Sequence, residues 1–178
     1  MDPFNSATHS VGGHDRRAQA SQHLDGASLP SWELEEWRYS PIEDLELERY
    51  TVVDNATPLT ADELAALQVR YSTPNLVVTR NGLVIHAQGV VETDASDDAA
   101  RLDTNGDLFG DMNELFAPAP LRLTVKAGAM IEDDIVIVHL IDQDGAAVFT
   151  RLVVDAGDSS AVKILEVFES TDIDALVV

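Results

Sequence analysis

From Leu121 onward the chain is a series of short, β-branched apolar segments separated by turns, and this feature constrains its fold most. Within the first segment Leu121, Leu123 and Val125 alternate with polar residues, as in a strand buried on one face. The segments cover residues 121–127, 135–141, 147–154, 161–169 and 174–178. Evenly spaced short strands are typical of a sandwich, a barrel or a β-helix, and periodicity alone does not separate these folds.

The N-terminal half combines helix and hairpin signals. Ser40-Pro41 predicts a helix start, with serine as N-cap and proline at the first helical position. Glu43 and Asp44 then fall in the first turn, where the helix dipole favours carboxylates. Thr60 and Glu63 have the spacing of a capping box, which predicts a second helix to about Val69.

Two further elements are predicted before the strand-rich part. Asn81-Gly82 stands between two apolar runs and predicts a hairpin over residues 75–87 with a type I′ turn. Leu108, Met112, Leu115 and Phe116 recur at helical spacing and predict a helix over residues 107–116. Prolines 118 and 120 are expected to end it.

The composition argues against several classes of function. The formal net charge is −21, with only two lysines, so the chain is expected to repel nucleic acid. Cysteine is absent, which excludes disulfides, thiolate metal sites and a cysteine nucleophile within these residues. Neither a membrane-spanning apolar run nor a secretory signal is found, so we expect a cytoplasmic protein without membrane contact.

Residues 1–29 are rich in Ser, Gly, His, Asp and Gln and lack apolar periodicity, which predicts a disordered leader. His9, His14 and His23 lie in this segment at irregular spacing. A metal site needs several ligands held together, so plain disorder is the favoured interpretation.

One stretch offers a different function. Asp103–Glu114 places oxygen ligands at positions 1, 3, 5, 9 and 12 of a twelve-residue calcium loop, but Leu108 stands where the sharp turn needs glycine. An acidic, β-rich calcium-binding module therefore remains the alternative hypothesis. The turn at Asp142–Gly145 is interpreted as an ordinary connection between strands.

No residue is predicted to be catalytic, cofactor-binding or metal-binding, and the chain is expected not to be an enzyme. It shows no Ser/His/Asp grouping, phosphate-binding glycine loop or nucleophile elbow. His86 and His139 fall inside predicted strands and are interpreted as core or surface side chains. Trp32, Trp37 and Tyr39 are expected to pin the N-terminal segment to the domain by burial.

Four stretches, taken in order, resemble the SufB/SufD family of iron–sulfur cluster assembly proteins, and its SufD branch in particular. Glu36–Ile42 resembles the N-terminal Trp-Arg-Tyr signature, and Leu108–Phe116 resembles the helix that precedes the family's β-helix. Thr124–Ile135 is similar to a first-rung motif, although Lys126 and Asp134 stand where proline is usual. Arg151–Ser170 is similar to a later rung, with the motif residues Gly157, Ala161 and Glu166 in place.

The resemblance implies a mainly β fold, the start of a right-handed parallel β-helix preceded by a small α/β N-terminal region. The expected organisation is a disordered leader (1–29), a helical and hairpin region (30–119) and the first rungs of the β-helix (120–178). The implied function is that of a non-catalytic scaffold subunit in the SUF complex, with a SufB-like subunit and a SufC-like ATPase as partners. The iron–sulfur cluster is then assembled by the complex, and this chain has no cofactor of its own.

The last residues, Ala175–Val178, form an apolar strand without a polar tail. An unpaired apolar edge invites aggregation, so we expect this sequence to be the N-terminal portion of a longer protein. In the family the cluster-related ligands and the SufC-docking helices come from later rungs and the C-terminal region, so none is assigned here.

Overall fold

The structure is a computed structural model that describes residues 14–40, 42, 44–93 and 107–178. Its elements in chain order are α1 (His14–Leu24), β1 (Thr51–Val52), α2 (Ala61–Tyr71), β2 (Asn75–Arg80), β3 (Leu83–Gln88), α3 (Leu108–Phe116), β4 (Leu121–Val125), β5 (Ile135–Ile141), β6 (Ala146–Val148), β7 (Leu152–Ala156), β8 (Ile164–Ser170) and β9 (Ala175–Val177). Two single 3₁₀ turns, Glu35–Trp37 and Leu47–Arg49, precede β1. The fold is mixed α/β.

The strands form three open sheets. Their orders are β1-β6-β9, β3-β2-β5-β8 and β4-β7. Every pairing is parallel except the β2–β3 hairpin. The chain therefore visits the three sheets in the order β4, β5, β6 and then visits them again, in the same order, as β7, β8, β9. We call these six strands the strand stack.

The spacing between paired residues is nearly the same on all three sheets of the strand stack. Leu121 pairs with Leu152, Ile135 with Ile164 and Ala146 with Ala175. An isolated parallel bridge between Met130 and Ala161 continues the pairing between β4–β7 and β5–β8. Each of the strands β7, β8 and β9 thus pairs with the strand that lies three places earlier in the chain.

The core is centred on β5, which is buried on both faces. Ile135 and Ile137 pack on one side against a cluster that includes Leu123 of β4. Val136 and Val138 pack on the other side beneath α2. A parallel strand covered on both faces is typically a near-continuous apolar run, and β5 departs from this only at His139.

Three predicted elements are confirmed. Thr60 and Glu63 form both halves of the capping box at the start of α2. The hairpin turns at Asn81 and Gly82, whose φ angles of 50° and 87° are the positive values that a type I′ turn requires. Helix α3 begins after Asp107, whose carboxylate accepts from the Gly110 backbone N–H.

Three expectations were wrong where the structure describes them. Residues 14–24 form α1 instead of part of a disordered leader, because Ala20 and Leu24 are buried; residues 1–13 lie outside the described residues. No α-helix begins at Ser40: between Ser40 and β1 the described residues contain only the 3₁₀ turn Leu47–Arg49, and Pro41 and Glu43 lie outside them. The single strand expected at 147–154 is two strands, β6 and β7, which belong to different sheets.

None of the helices in the described part of the chain has the length and apolar content needed to span a bilayer.

Replacing Thr60 by alanine is expected to lower the free energy of unfolding by about 0.5–2 kcal/mol, because the Glu63 backbone N–H loses its acceptor. Chemical denaturation measures the loss. The same change at Thr171, in an exposed loop, is the control and should cost less than about 0.5 kcal/mol. Equal losses at the two positions would contradict the capping role.

The capping box also predicts that the stability of the fold decreases in acid. Hydrogen bonds from the Thr60 backbone N–H, the Thr60 hydroxyl and Arg80 lower the pKa of Glu63 from 4.5 to about 2. A carboxyl whose pKa is lower in the folded state stabilises it above the unfolded pKa, and this contribution is lost as pH falls from about 4.5 to about 2. The Thr60→Ala variant should lose less stability than the parent over this interval, and identical acid profiles would refute the assignment.

Candidate functional site

The polar face of α3 is buried, and its side chains contact other parts of the chain. The Asn113 side-chain amide donates to the carbonyls of Thr150 and Val178 at 3.0 and 3.1 Å. Arg151 donates to the Asn113 side-chain oxygen and to Glu114, the latter at 3.0 Å. Both side chains of the Arg151–Glu114 ion pair are more than nine-tenths buried. This face therefore joins α3 to the segment between β6 and β7.

The same residues bear on the calcium hypothesis. Asp103–Gly106 lie outside the described residues, so only the last eight of the twelve loop residues can be placed. Asp107 caps α3, and Asp111 lies 3.3 Å from His23 of α1. Glu114 is paired with Arg151 and, at 3.5 Å, with Arg16. In the described part of the chain, no group of three or more His, Asp or Glu side chains is arranged to hold a metal ion.

The turn at Asp142–Gly145 acts as a connection between β5 and β6. Asp142 accepts from the Asn81 side-chain amide at 2.9 Å and pairs with Arg80 at 3.1 Å. Asp144 accepts from the Asp174 backbone N–H, and Gly145 has a φ of 71°. These carboxylates join the β5–β6 turn to the β2–β3 hairpin and to the residue that precedes β9.

His139 is the buried titratable group inside the strand stack. Its Nδ1 lies 2.8 Å from the Thr79 hydroxyl of β2, and its Nε2 lies 2.9 Å from the Glu166 carboxylate of β8. A neutral imidazole satisfies both contacts when Nε2–H donates to Glu166 and Nδ1 accepts from Thr79. The ring also stacks on Phe168, with centroids 4.5 Å apart. The residue is thus a core histidine that links three adjacent strands.

The surroundings of His139 predict a pH dependence. Burial lowers the pKa of His139 below its ordinary 6.5, and the Glu166 carboxylate offsets part of this effect. The unfolded chain then binds more protons than the folded chain below pH 6.5, so stability decreases as pH falls from 6.5 towards the folded-state pKa. Titration by NMR should give a pKa under 6.5 for His139, and Glu166→Gln should lower it further. A pKa at or above 6.5 in the parent would contradict the burial argument.

The aromatic residues of the N-terminal segment differ in how far they are buried. Trp37 is half-buried and packs on Phe109 of α3, with ring centroids 5.4 Å apart. Trp32 and Tyr39 are exposed, at 60% and 88% of their surface, so the expectation of burial was wrong for these two. A cleft of about 570 Å³ lies beside Trp37, between α1 and the start of α3. Among its polar residues, His23, Asp107 and Asp111 are engaged in the contacts described above.

The strand stack has an unpaired outer edge, formed by β7, β8 and β9. Within the described residues, β7, β8 and β9 each lie at the end of a sheet, and no strand pairs with their outer sides. Four apolar side chains on these strands are between 40% and 49% exposed: Val154, Leu165, Phe168 and Val177. An edge of exposed peptide groups and apolar side chains is a template for pairing with a further strand, either of a longer chain or of a partner. We therefore take this outer edge as the candidate functional site.

Sequence reasoning found strands close to β7, β8 and β9 and expected an unpaired apolar edge at Ala175–Val178, but it did not identify the outer sides of β7 and β8 as edges. An edge is a property of sheet order, and sheet order depends on pairings between segments far apart in the chain. Compared with protein-family models and with curated protein sequences, the chain matches none of them.

Proposed function

We propose that this chain is a non-catalytic scaffold subunit of a SUF-type iron–sulfur cluster assembly complex. In this proposal it acts in the cytoplasm with a SufB-like subunit and a SufC-like ATPase, and the complex builds the cluster. The chain contributes the first stacked strands of the scaffold, which presents an extended sheet face and edge to the SufB-like subunit.

A right-handed parallel β-helix is part of the same proposal, and the register of the strand stack is the observation that carries it. Three successive strands on three sheets are each paired, in parallel, with a strand at nearly constant separation along the chain. Parallel connections between strands are right-handed in nearly all proteins. A chain that repeats this path forms a coil with one side per sheet.

Motif residues occupy positions that such a coil requires. Gly157 lies so close to the preceding turn that an added Cβ would stand 2.5 Å from the Ala127 backbone nitrogen. Ala161 pairs with Met130 of the preceding turn, and Glu166 reaches His139 on the neighbouring strand. The rung-like motif in Arg151–Ser170 therefore coincides with contacts between successive turns.

Two other motif segments, far apart in sequence, meet in space. Trp37 belongs to the Trp-Arg-Tyr stretch and Phe109 to the helix motif, and their rings are in contact. This contact supports attributing the two separate resemblances to the same family.

Replacing Gly157 by alanine tests the close packing between turns. The methyl group meets backbone atoms of Ala127 that cannot move aside cheaply, so a loss of about 1–3 kcal/mol in the free energy of unfolding is expected. Asp158→Ala, at an exposed neighbouring position, is the matched control and should cost less than about 0.5 kcal/mol. An unchanged stability in Gly157→Ala would remove this support for the coil.

Co-purification tests the assignment of partners. The complete product of the gene is co-expressed with the SufB-like and SufC-like proteins of the same genome, with the affinity tag on the SufC-like ATPase. All three proteins are expected in one complex of defined mass. If the other two form a complex while this chain elutes separately, the proposed function is wrong.

A further inference from the structure

The cleft beside Trp37 combines an apolar lining with carboxylates. Its volume of about 570 Å³ lies within the range of sites that hold a ligand. Among the described residues that line it, none is lysine or arginine, whereas Glu36, Asp107 and Asp111 are carboxylates. The apolar part of the lining consists of Leu24, Leu29, Pro30, Leu34, Trp37 and Leu108. The cleft thus presents an acidic and partly apolar surface to an occupant.

Asp111 is a buried carboxylate that is compensated less fully than its neighbour on α3. Its side chain is 5% exposed, and it lies 3.3 Å from Nδ1 of His23, a side chain that is 57% exposed. Glu114 is similarly buried but pairs with the buried guanidinium of Arg151. Burying a carboxylate is costly unless a cation or hydrogen-bond donors accompany it. The contrast between the two carboxylates points to a further cation that reaches Asp111 through the cleft.

Asp107 and Asp111 lie one helical turn apart, since the Asp111 N–H donates to the Asp107 carbonyl. Asp107 uses Oδ2 to cap α3 and Asp111 uses Oδ2 towards His23, so each has a second oxygen that can accept. A guanidinium offers five N–H donors in a planar fork, and it also stacks on aromatic rings such as that of Trp37. Two carboxylates outweigh the positive end of the α3 dipole, which is about half a unit charge. We propose that the cleft binds an arginine side chain presented by a peptide segment of a partner protein.

The surroundings of the cleft favour a peptide over a free small cation. Leu34 lines the cleft and is 53% exposed, and Trp32, next to the lining residue Ser31, is 60% exposed. Exposed apolar residues close together are typical of a protein-binding surface, and the net charge of −21 attracts a basic segment. None of the described residues that line the cleft belongs to β7, β8 or β9, so strands added to the outer edge do not fill it. The inference does not depend on the proposed SUF partners.

NMR titration with two matched dipeptides tests the site. The probes are acetyl-leucyl-arginine amide and its citrulline counterpart, which has nearly the same shape without the charge. With the arginine probe, the ¹⁵N-labelled 178-residue chain should show saturable shifts of the Trp37 indole and Asp111 amide signals, with a Kd on the order of 1 mM. The citrulline probe should bind about tenfold more weakly or less, and salt should weaken the arginine probe alone. Equal binding of the two probes, or no saturable shifts with the arginine probe, would overturn the proposal.

Substitutions that remove one charge locate the arginine within the cleft. Asp111→Asn and Asp107→Asn should each weaken binding of the arginine probe by about tenfold. Asparagine caps a helix as well as aspartate does, so Asp107→Asn keeps α3 intact and provides the test even if Asp111→Asn does not fold. The matched control is Asp133→Asn, in the exposed loop between β4 and β5, which should leave the Kd unchanged. Circular dichroism checks that the variants are folded. An unchanged Kd in folded Asp107→Asn, or an equal loss in Asp133→Asn, would overturn the proposal.

Discussion

Replacing Arg151 by methionine is expected to lower the free energy of unfolding by about 3–5 kcal/mol. The guanidinium donates to Glu114 and Asn113 on the buried face of α3, and both members of the ion pair are shielded from water. Methionine fills much of the same volume but leaves the Glu114 carboxylate without this partner. Removing one member of a buried pair costs far more than removing an exposed one, because the remaining charge is not resolvated.

Chemical denaturation of the parent and the Arg151→Met variant measures this loss. The control is Lys163→Met, which removes an exposed ion pair with Asp134 and should cost no more than about 1 kcal/mol. Adding Glu114→Gln to Arg151→Met should recover part of the stability, because no buried charge then remains in the pair. Similar losses for Arg151→Met and Lys163→Met would contradict the buried network.

Truncating Ile137 to alanine is expected to cost about 2–5 kcal/mol. Ile137 is fully buried in the middle of β5 and belongs to the cluster that joins β5 to β4 and β2. The loss combines the transfer of the missing methyl and methylene groups with the cavity left behind. Neighbouring strands on both sides restrain any collapse of that cavity, so a value near the upper end is expected.

The comparison for Ile137→Ala is Val69→Ala on the exposed side of α2, where a change within about 0.5 kcal/mol is expected. Thermal or urea unfolding of the two variants measures the difference. A loss below about 1 kcal/mol at Ile137 would mean that β5 is not the centre of the core.

Local signals in the sequence predicted the local elements. Thr60 with Glu63, and Asn81 with Gly82, specify their structures within a few residues, so each could be identified without knowledge of the rest of the fold. Helix α1 could not be predicted in this way. Its residues are mostly polar, and the packing of Ala20 and Leu24 accompanies extensive contact with α3, about ninety positions later in the sequence.

The division of residues 147–154 into two strands was missed for a related reason. The chain changes sheets at Phe149–Arg151 without a glycine or proline to mark the corner. Phe149 is buried there against Phe116, and Arg151 is held by α3. Both contacts depend on where α3 lies, and the periodicity of the segment carries no information about that. Apart from Ala175–Val178, the outer edge could not be predicted, because it follows from which strands do not pair.

Strand β1 can pair with its partner strand only late in synthesis. Thr51 and Val52 pair with Ala146 and Ala147, which leave the ribosome much later. Strand β2 likewise waits for β5 before its second side is covered. At translation rates of about 5–20 residues per second, the nascent chain holds these apolar segments unpaired for several seconds. During that interval α2 and the β2–β3 hairpin can form from local contacts, but the nascent chain is exposed to chaperones and to misassembly until β5 and β6 have been made.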